Sequence, residues 1–449
     1  MKPIVIIHGW SDNSDSFQNL AKRLKRETGR PVEEVWLSDY VSMDNDVKLA
    51  DIAIAMQRAW EAKDMPILPN SIDAIIHSTG GLVIRLWMQR FYTDKGLNPP
   101  IQNLVMLAPA NFGSPLAHKG RSLIGRVVKG HNSKKRFQTG THVLKGLEMA
   151  SPFTWDLAQH DRFTTNAFSD GGVLCTVIVG NFGYPGIKGI ANEPGSDGTV
   201  YVSTANLNCA KLKIEVDAET GDINPSPIES SVGKTAFHLL DRFDHGSITG
   251  KNSLPKKLLQ PILESLEVTQ DNFEHWCDKC ADHSQAVSEK YARRRDNDQH
   301  SFQNMVFRVM DSEGDYVEDY TIEFYGKFDE EEDQWAHKFN RYINTKVHAY
   351  KDNNGYRSFL INTTRLFKEV DKINESLRIS ISALPDLSED NVLAGYQTFG
   401  QNDAGEDVIG QIELNTDQLK AYFQHNRTLL VDILLPRHQK DEVFNLNKV

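Results

Sequence analysis

Ser78 stands between an aliphatic run and a pair of glycines, in Ile75-Ile76-His77-Ser78-Thr79-Gly80-Gly81. On a sharp strand-to-helix turn such a serine presents its hydroxyl as a nucleophile. The same residues also suit a plainer role, a serine N-cap followed by a glycine turn. A serine hydroxyl is a weak nucleophile near neutral pH, so the first role needs a histidine base and a carboxylate to orient it. Both follow along the chain in the order Ser, acid, His. Asp197 lies in Gly195-Ser196-Asp197-Gly198, and His245 lies in Asp244-His245-Gly246-Ser247. Alone, a turn aspartate is usually a turn-former and a single histidine usually structural. In this order, each after an apolar run, they read as a Ser78–Asp197–His245 triad. A developing oxyanion also needs backbone donors. His8-Gly9-Trp10 follows the first apolar run, so the amides of Trp10 and Thr79 are the expected pair. The familiar nucleophile turn reads Gly-x-Ser-x-Gly, and here Ile76 occupies the first glycine position.

Such a turn requires a parallel sheet beneath it. The runs at 4–9, 71–78, 103–110 and 174–181 are rich in Val, Ile and Leu with no period of two, as expected of strands covered on both faces. Amphipathic stretches at 16–28 and 49–63 lie between them, and this alternation predicts an α/β fold. Residues 269–300 are highly charged and read as a helical connector. After it come short strands at 305–311, 320–327, 377–384, 408–414 and 429–436, with an Asn-Gly hairpin signal in 352–357. The expected division is an α/β catalytic domain at 1–268, a connector at 269–300, and an antiparallel all-β, sandwich-like domain at 301–449.

The 449 residues exceed one typical core, and their net charge of −11 argues against general nucleic-acid binding. Four cysteines make no disulfide framework. No apolar run approaches the roughly 20 residues of a membrane-spanning helix, and no Sec-type signal is read. A cytoplasmic protein, or one exported by a non-Sec route, is expected, with the compartment open.

The motifs HGW, HSTGG, APANFGSPLA, SPFTWDL, GSDGTV and HGSI make residues 1–265 resemble the α/β-hydrolase lipases and esterases. The resemblance is greatest to the bacterial lipase group and its relatives among the GPI-inositol deacylases and lecithin-cholesterol acyltransferases. It implies Ser78 as nucleophile, Asp197 as acid, His245 as base, a helical cap at about 116–170, and no cofactor.

The expected substrate is a lipid or small ester. Residues 116–147 hold eight Lys/Arg and no Asp or Glu, interleaved with apolar residues including Val143 and Leu144. That pattern suits peripheral contact with an anionic membrane. It equally suits pairing with the acidic run at 329–333, itself read as a solvated loop or, less readily, a calcium site. His275, Cys277, Cys280 and His283 form a weak zinc pattern, since four ligands within nine positions of one helix wrap an ion poorly. A rival to the enzyme is a catalytically weak hydrolase-fold protein that binds lipid or a protein partner through its β domain.

Overall fold

The computed structural model describes residues 1–7, 17–35, 44–117, 140–186, 189, 192–294, 298–326, 339–373 and 376–440. Four aliphatic segments form its first layer: β1 (Ile4–Ile7), β3 (Ile72–His77), β4 (Ile101–Leu107) and β5 (Leu174–Gly180), with β2 (Val32–Val35) beside β1. Beyond β5 the chain makes β6 (Cys209–Val216), β7 (Ile223–Pro225) and β8 (Glu229–Ser230), which join another sheet. It then returns with β9 (Ala236–Leu240). The resulting order is β2-β1-β3-β4-β5-β9, and every pair is parallel. Parallel strands need helices on their faces, which explains why β1, β3 and β5 are buried along their whole length.

Three of those helices carry the apolar spacing expected of them. α1 (Gln18–Thr28) buries Leu20 and Leu24 and stops where Gly29 takes a left-handed conformation. α2 (Leu49–Ala62) and α3 (Gly80–Phe91) join the same core, with the Trp60 and Trp87 rings 5.1 Å apart. The charged segment at 269–300, expected as a helical connector, supplies helix Phe273–Ala292. Its inward residues Trp276, Cys277 and Cys280 pack on Leu174 of β5 and Ala236 of β9. Ser284 accepts from Leu239 N and donates to Phe237 O, each at 2.9 Å, so the helix covers the edge strand.

By contact the chain falls into two units, and they do not follow its length. The first is 1–209, 230–301 and 426–428; the second is 210–229, 302–425 and 429–449. Residues 210–229 therefore lie with the β-rich part, whereas 269–300 lie with the parallel sheet. In the second unit, β10 (Phe302–Asp311), β12 (Asn344–Ala349) and β13 (Tyr356–Asn362) extend a sheet that β6, β7 and Thr428–Leu435 complete. A three-stranded antiparallel sheet of β11 (Tyr320–Gly326), β14 (Leu377–Ala383) and Gly410–Leu414 shares one core with it, as in a sandwich. Two helices, Thr363–Ile373 and Thr416–Tyr422, also belong to this unit, so it is not purely β.

Most of the basic stretch at 116–147 lies outside the described residues. Within its described part, helix Thr141–Leu147 turns Val143 into the core of the parallel-sheet unit, and Leu144 packs against that core. Val143 is thus buried, and Leu144 is partly buried. The acidic run at 329–333 lies wholly outside the described residues. Among the described residues no helix is long and apolar enough to cross a membrane.

Candidate active site

Ser78 follows β3 directly and precedes α3 by one residue, at the carboxyl edge where α/β sheets open toward ligands. Its φ is +56°, a left-handed conformation that costs a non-glycine residue about 1 kcal/mol or more. The turn is held by Ser78 N donating to Leu107 O at 3.1 Å and by Gly81 N and Ala110 N donating to Ser78 O at 3.0 and 3.3 Å. Ile76 does not obstruct it: the side chain is fully buried in β3 as part of the core.

The histidine arrives from the loop after β9 and the aspartate from the turn after β5, so three strands of one sheet converge on the site. His245 Nε2 lies 3.0 Å from Ser78 Oγ, and His245 Nδ1 lies 2.9 Å from Asp197 Oδ2. A carboxylate accepts, so the proton belongs on Nδ1 and leaves the Nε2 lone pair toward the serine hydroxyl. Asp197 is fully buried, and its other oxygen accepts from Thr199 N at 2.9 Å and Val200 N at 2.8 Å. Paired in this way, the buried carboxylate does not stand unsatisfied. The two loops are also joined through their main chains, since His245 N donates to Asp197 O at 2.9 Å.

Gly198 closes the aspartate turn at φ +94°, and a Cβ there would meet Tyr184 Cδ2 at 2.7 Å. The Tyr184 ring thus lies on the turn, its hydroxyl 2.9 Å from Thr199 Oγ1. Asn192 fixes that residue by accepting from Tyr184 N and donating to Tyr184 O, both at 2.9 Å.

Of the two expected oxyanion donors, Thr79 sits at the entry to α3, and among the described residues its amide makes no hydrogen bond. Trp10 lies outside the described residues. The sequence reading overlooked His77, whose ring centroid is 4.6 Å from that of His245. Its signal was its place beside the serine, which had been counted only as spacing.

The weak zinc pattern does not assemble. Cys277 and Cys280 face the interior of Phe273–Ala292, whereas His275 and His283 are exposed, and His283 stacks on His238 at 4.2 Å. Among the described residues no group of three or more His, Cys, Asp or Glu is arranged to hold a metal ion. All four cysteines are free and buried.

No protein-family model matches the sequence. A search of curated proteins likewise finds no significant match. Among solved structures the chain is similar to the phospholipase PlaB from Legionella pneumophila, with a TM-score of 0.81 and 21% identity over 99% of this chain and 96% of that one. PlaB in complex with thio-NAD gives 0.80 and 22% over the same shares. The mature lipase BlEst2 from Bacillus licheniformis covers 59% of this chain and 91% of its own, at 16% identity and a TM-score of 0.37. The fold is therefore that of PlaB over nearly the full length, an α/β-hydrolase unit joined to a β-rich one.

Proposed function

We propose that the chain is a serine-dependent carboxylic ester hydrolase acting on lipid esters, of the lipase or phospholipase type. The observation that carries this reading is the unbroken line Asp197–His245–Ser78, with contacts of 2.9 and 3.0 Å, ending on a serine held at positive φ. In such a site Ser78 attacks the acyl carbon while His245 takes its proton, and Asp197 keeps the imidazole in the receiving tautomer. The Thr79 amide stabilises the oxyanion, with Trp10 as its expected partner. His245 then returns the proton to the departing alcohol, and water releases the acid from the acyl-enzyme by the same steps. The line uses no cofactor. Lipid esters are favoured over other esters by the likeness in fold to PlaB, a phospholipase.

The test is hydrolysis of p-nitrophenyl esters from acetate to palmitate, followed by phosphatidylcholine and triglyceride emulsions, with wild type beside Ser78→Ala. Activity that vanishes in the variant supports the reading, and the preferred chain and headgroup separate esterase, lipase and phospholipase. An inert wild type, or equal rates in both, overturns it in favour of a lipid- or protein-binding role.

A further inference from the structure

His77 is the last residue of β3 and is 4% exposed. Its Nε2 lies 3.2 Å from the main-chain oxygen of His245, and the two rings meet at 41°. A carbonyl oxygen only accepts, so in this contact Nε2 of His77 carries the hydrogen and donates. One dipeptide therefore grips His245 at two points: Ser78 Oγ meets its imidazole, and His77 meets its main chain. The His245 N–H and Nδ1 are engaged by Asp197, both at 2.9 Å. The Phe17 ring in turn approaches His77 edge-on at 5.8 Å, so the His77 ring is packed on more than one side.

We propose that His77 is a positioning residue for the base, holding the His245 loop, and with it the imidazole, in line with Ser78 through its Nε2–H. This role rests on the serine-ester reading above. The physical need is plain. His245 belongs to a loop, and a loop alone tolerates shifts that a proton-transfer line does not. Misplacement by about 1 Å costs on the order of 100-fold in rate. His77 ties the loop to a strand that is rigid with the nucleophile.

Two variants separate donor from ring. His77→Phe keeps an aromatic ring and loses the donor; His77→Gln loses the ring and keeps a side-chain N–H at similar reach. On p-nitrophenyl butyrate, His77→Phe is expected to lose about 10- to 100-fold in kcat with KM within about twofold. His77→Gln should recover most of that loss, and both melting temperatures should stay near wild type. A wild-type kcat in His77→Phe overturns the proposal, as does equal impairment of the two variants. Should His77→Phe not fold, ring ¹⁵N shifts of the wild-type protein, assigned against His77→Gln, provide the test. The Nε2–H tautomer is expected, and an Nδ1–H tautomer overturns the contact. A wild type without ester hydrolysis would sink the serine reading, and the ¹⁵N result would still decide the His77 contact.

Discussion

A methyl group added at Gly81 would lie 2.7 Å from Pro109 Cβ, closer than real side chains approach, and 3.1 Å from Asn111 Oδ1, a tight contact. At Gly80 the nearest neighbour would be Ile76 Cβ at 3.5 Å, an ordinary contact. The Ser-x-Gly spacing of the sequence singles out Gly80, yet the space argues for its neighbour. Pro109 adjoins Ala110, whose amide holds Ser78 O, so a push at Gly81 is transmitted to the Ser78 turn. Gly81→Ala is therefore expected to cost about 1–3 kcal/mol of stability and to lower ester hydrolysis. Gly80→Ala should melt within a few degrees of wild type and remain active. Thermal melts and rates on one ester, measured for both variants, check this. Equal behaviour would show that crowding against Pro109 does not govern the turn. The same comparison explains Ile76. Where a lipase-like motif has glycine, this chain has a core side chain, and the glycine needed for α3 to approach the Pro109 loop is Gly81.

α3 is anchored by a buried ion pair as well as by its apolar face. Arg85 donates to both oxygens of Asp161, from Nε at 2.6 Å and Nη2 at 2.9 Å, and its Nη1 donates to Asn111 O at 3.0 Å. Arg85 is fully buried and Asp161 is 3% exposed, so water compensates neither charge. Removing one partner strands the other in a dry interior, while removing both leaves a packing change. Arg85→Met should thus lose about 3–5 kcal/mol, and Arg85→Met with Asp161→Leu should lose clearly less. Urea unfolding of the two singles and the double closes the cycle; a double that loses the sum of the singles would deny the coupling. Neither residue was legible as a pair, because 76 positions separate them and Arg85 reads as an ordinary surface residue of an amphipathic helix. Elements with a continuous apolar run or a clear period were legible: β1, β3, β4 and β5, helices α1 and α2, and the strands at 320–326 and 377–383 all lie within a few residues of where they were expected. Two groups were not. β7 and β8 are short and exposed, and β6, though it alternates from Leu212 to Val216, finds its other neighbour in Thr428–Leu435, far along the chain. Helix Phe273–Ala292 was expected as a helix but not as part of the parallel-sheet core, because its inward residues at spacings of three and four are hidden among charges. Ser78, Asp197 and His245 could be singled out as candidates because strand order limits where such residues fall, and the structure brings them into line at contacts of 2.9 and 3.0 Å. His77 and Tyr184 meet the loops of His245 and Asp197 through contacts that only the folded chain creates.

At the scale of the molecule, the parallel-sheet unit is not a contiguous stretch of chain. Residues 426–428 belong to it although they follow Ser301 by more than a hundred positions. Asn206 Nδ2 donates to Asn426 O at 2.9 Å, Asn426 Nδ2 lies 3.3 Å from the hydroxyls of Ser288 and Ser301, and Thr428 Oγ1 donates to Ser203 O at 3.2 Å. Ser203, Asn206, Asn426 and Thr428 are all buried. Ser203 lies on the short helix Val202–Ala205, which begins two residues beyond the Val200 amide that holds Asp197. A chain ended at Ser301 would leave Asn206 and the Ser203 carbonyl without these partners, at about 1–3 kcal/mol for each group left unpaired. It would also strip β6 of its sheet, exposing Leu212, Ile214 and Val216, which are buried in the second unit's core. Residues 1–301 alone are therefore expected to be aggregation-prone and to lack the ester hydrolysis proposed for the full chain. Asn426→Ala in the full chain should lose about 1–3 kcal/mol while retaining activity. Gel filtration, near-UV circular dichroism and ester hydrolysis of 1–301 beside the full chain decide between two accounts. A soluble fragment with the full chain's kcat would make the later residues an appendage. A fragment that fails while Asn426→Ala is only weakened would mean that the unit bearing Ser78 folds only when the chain returns to complete it.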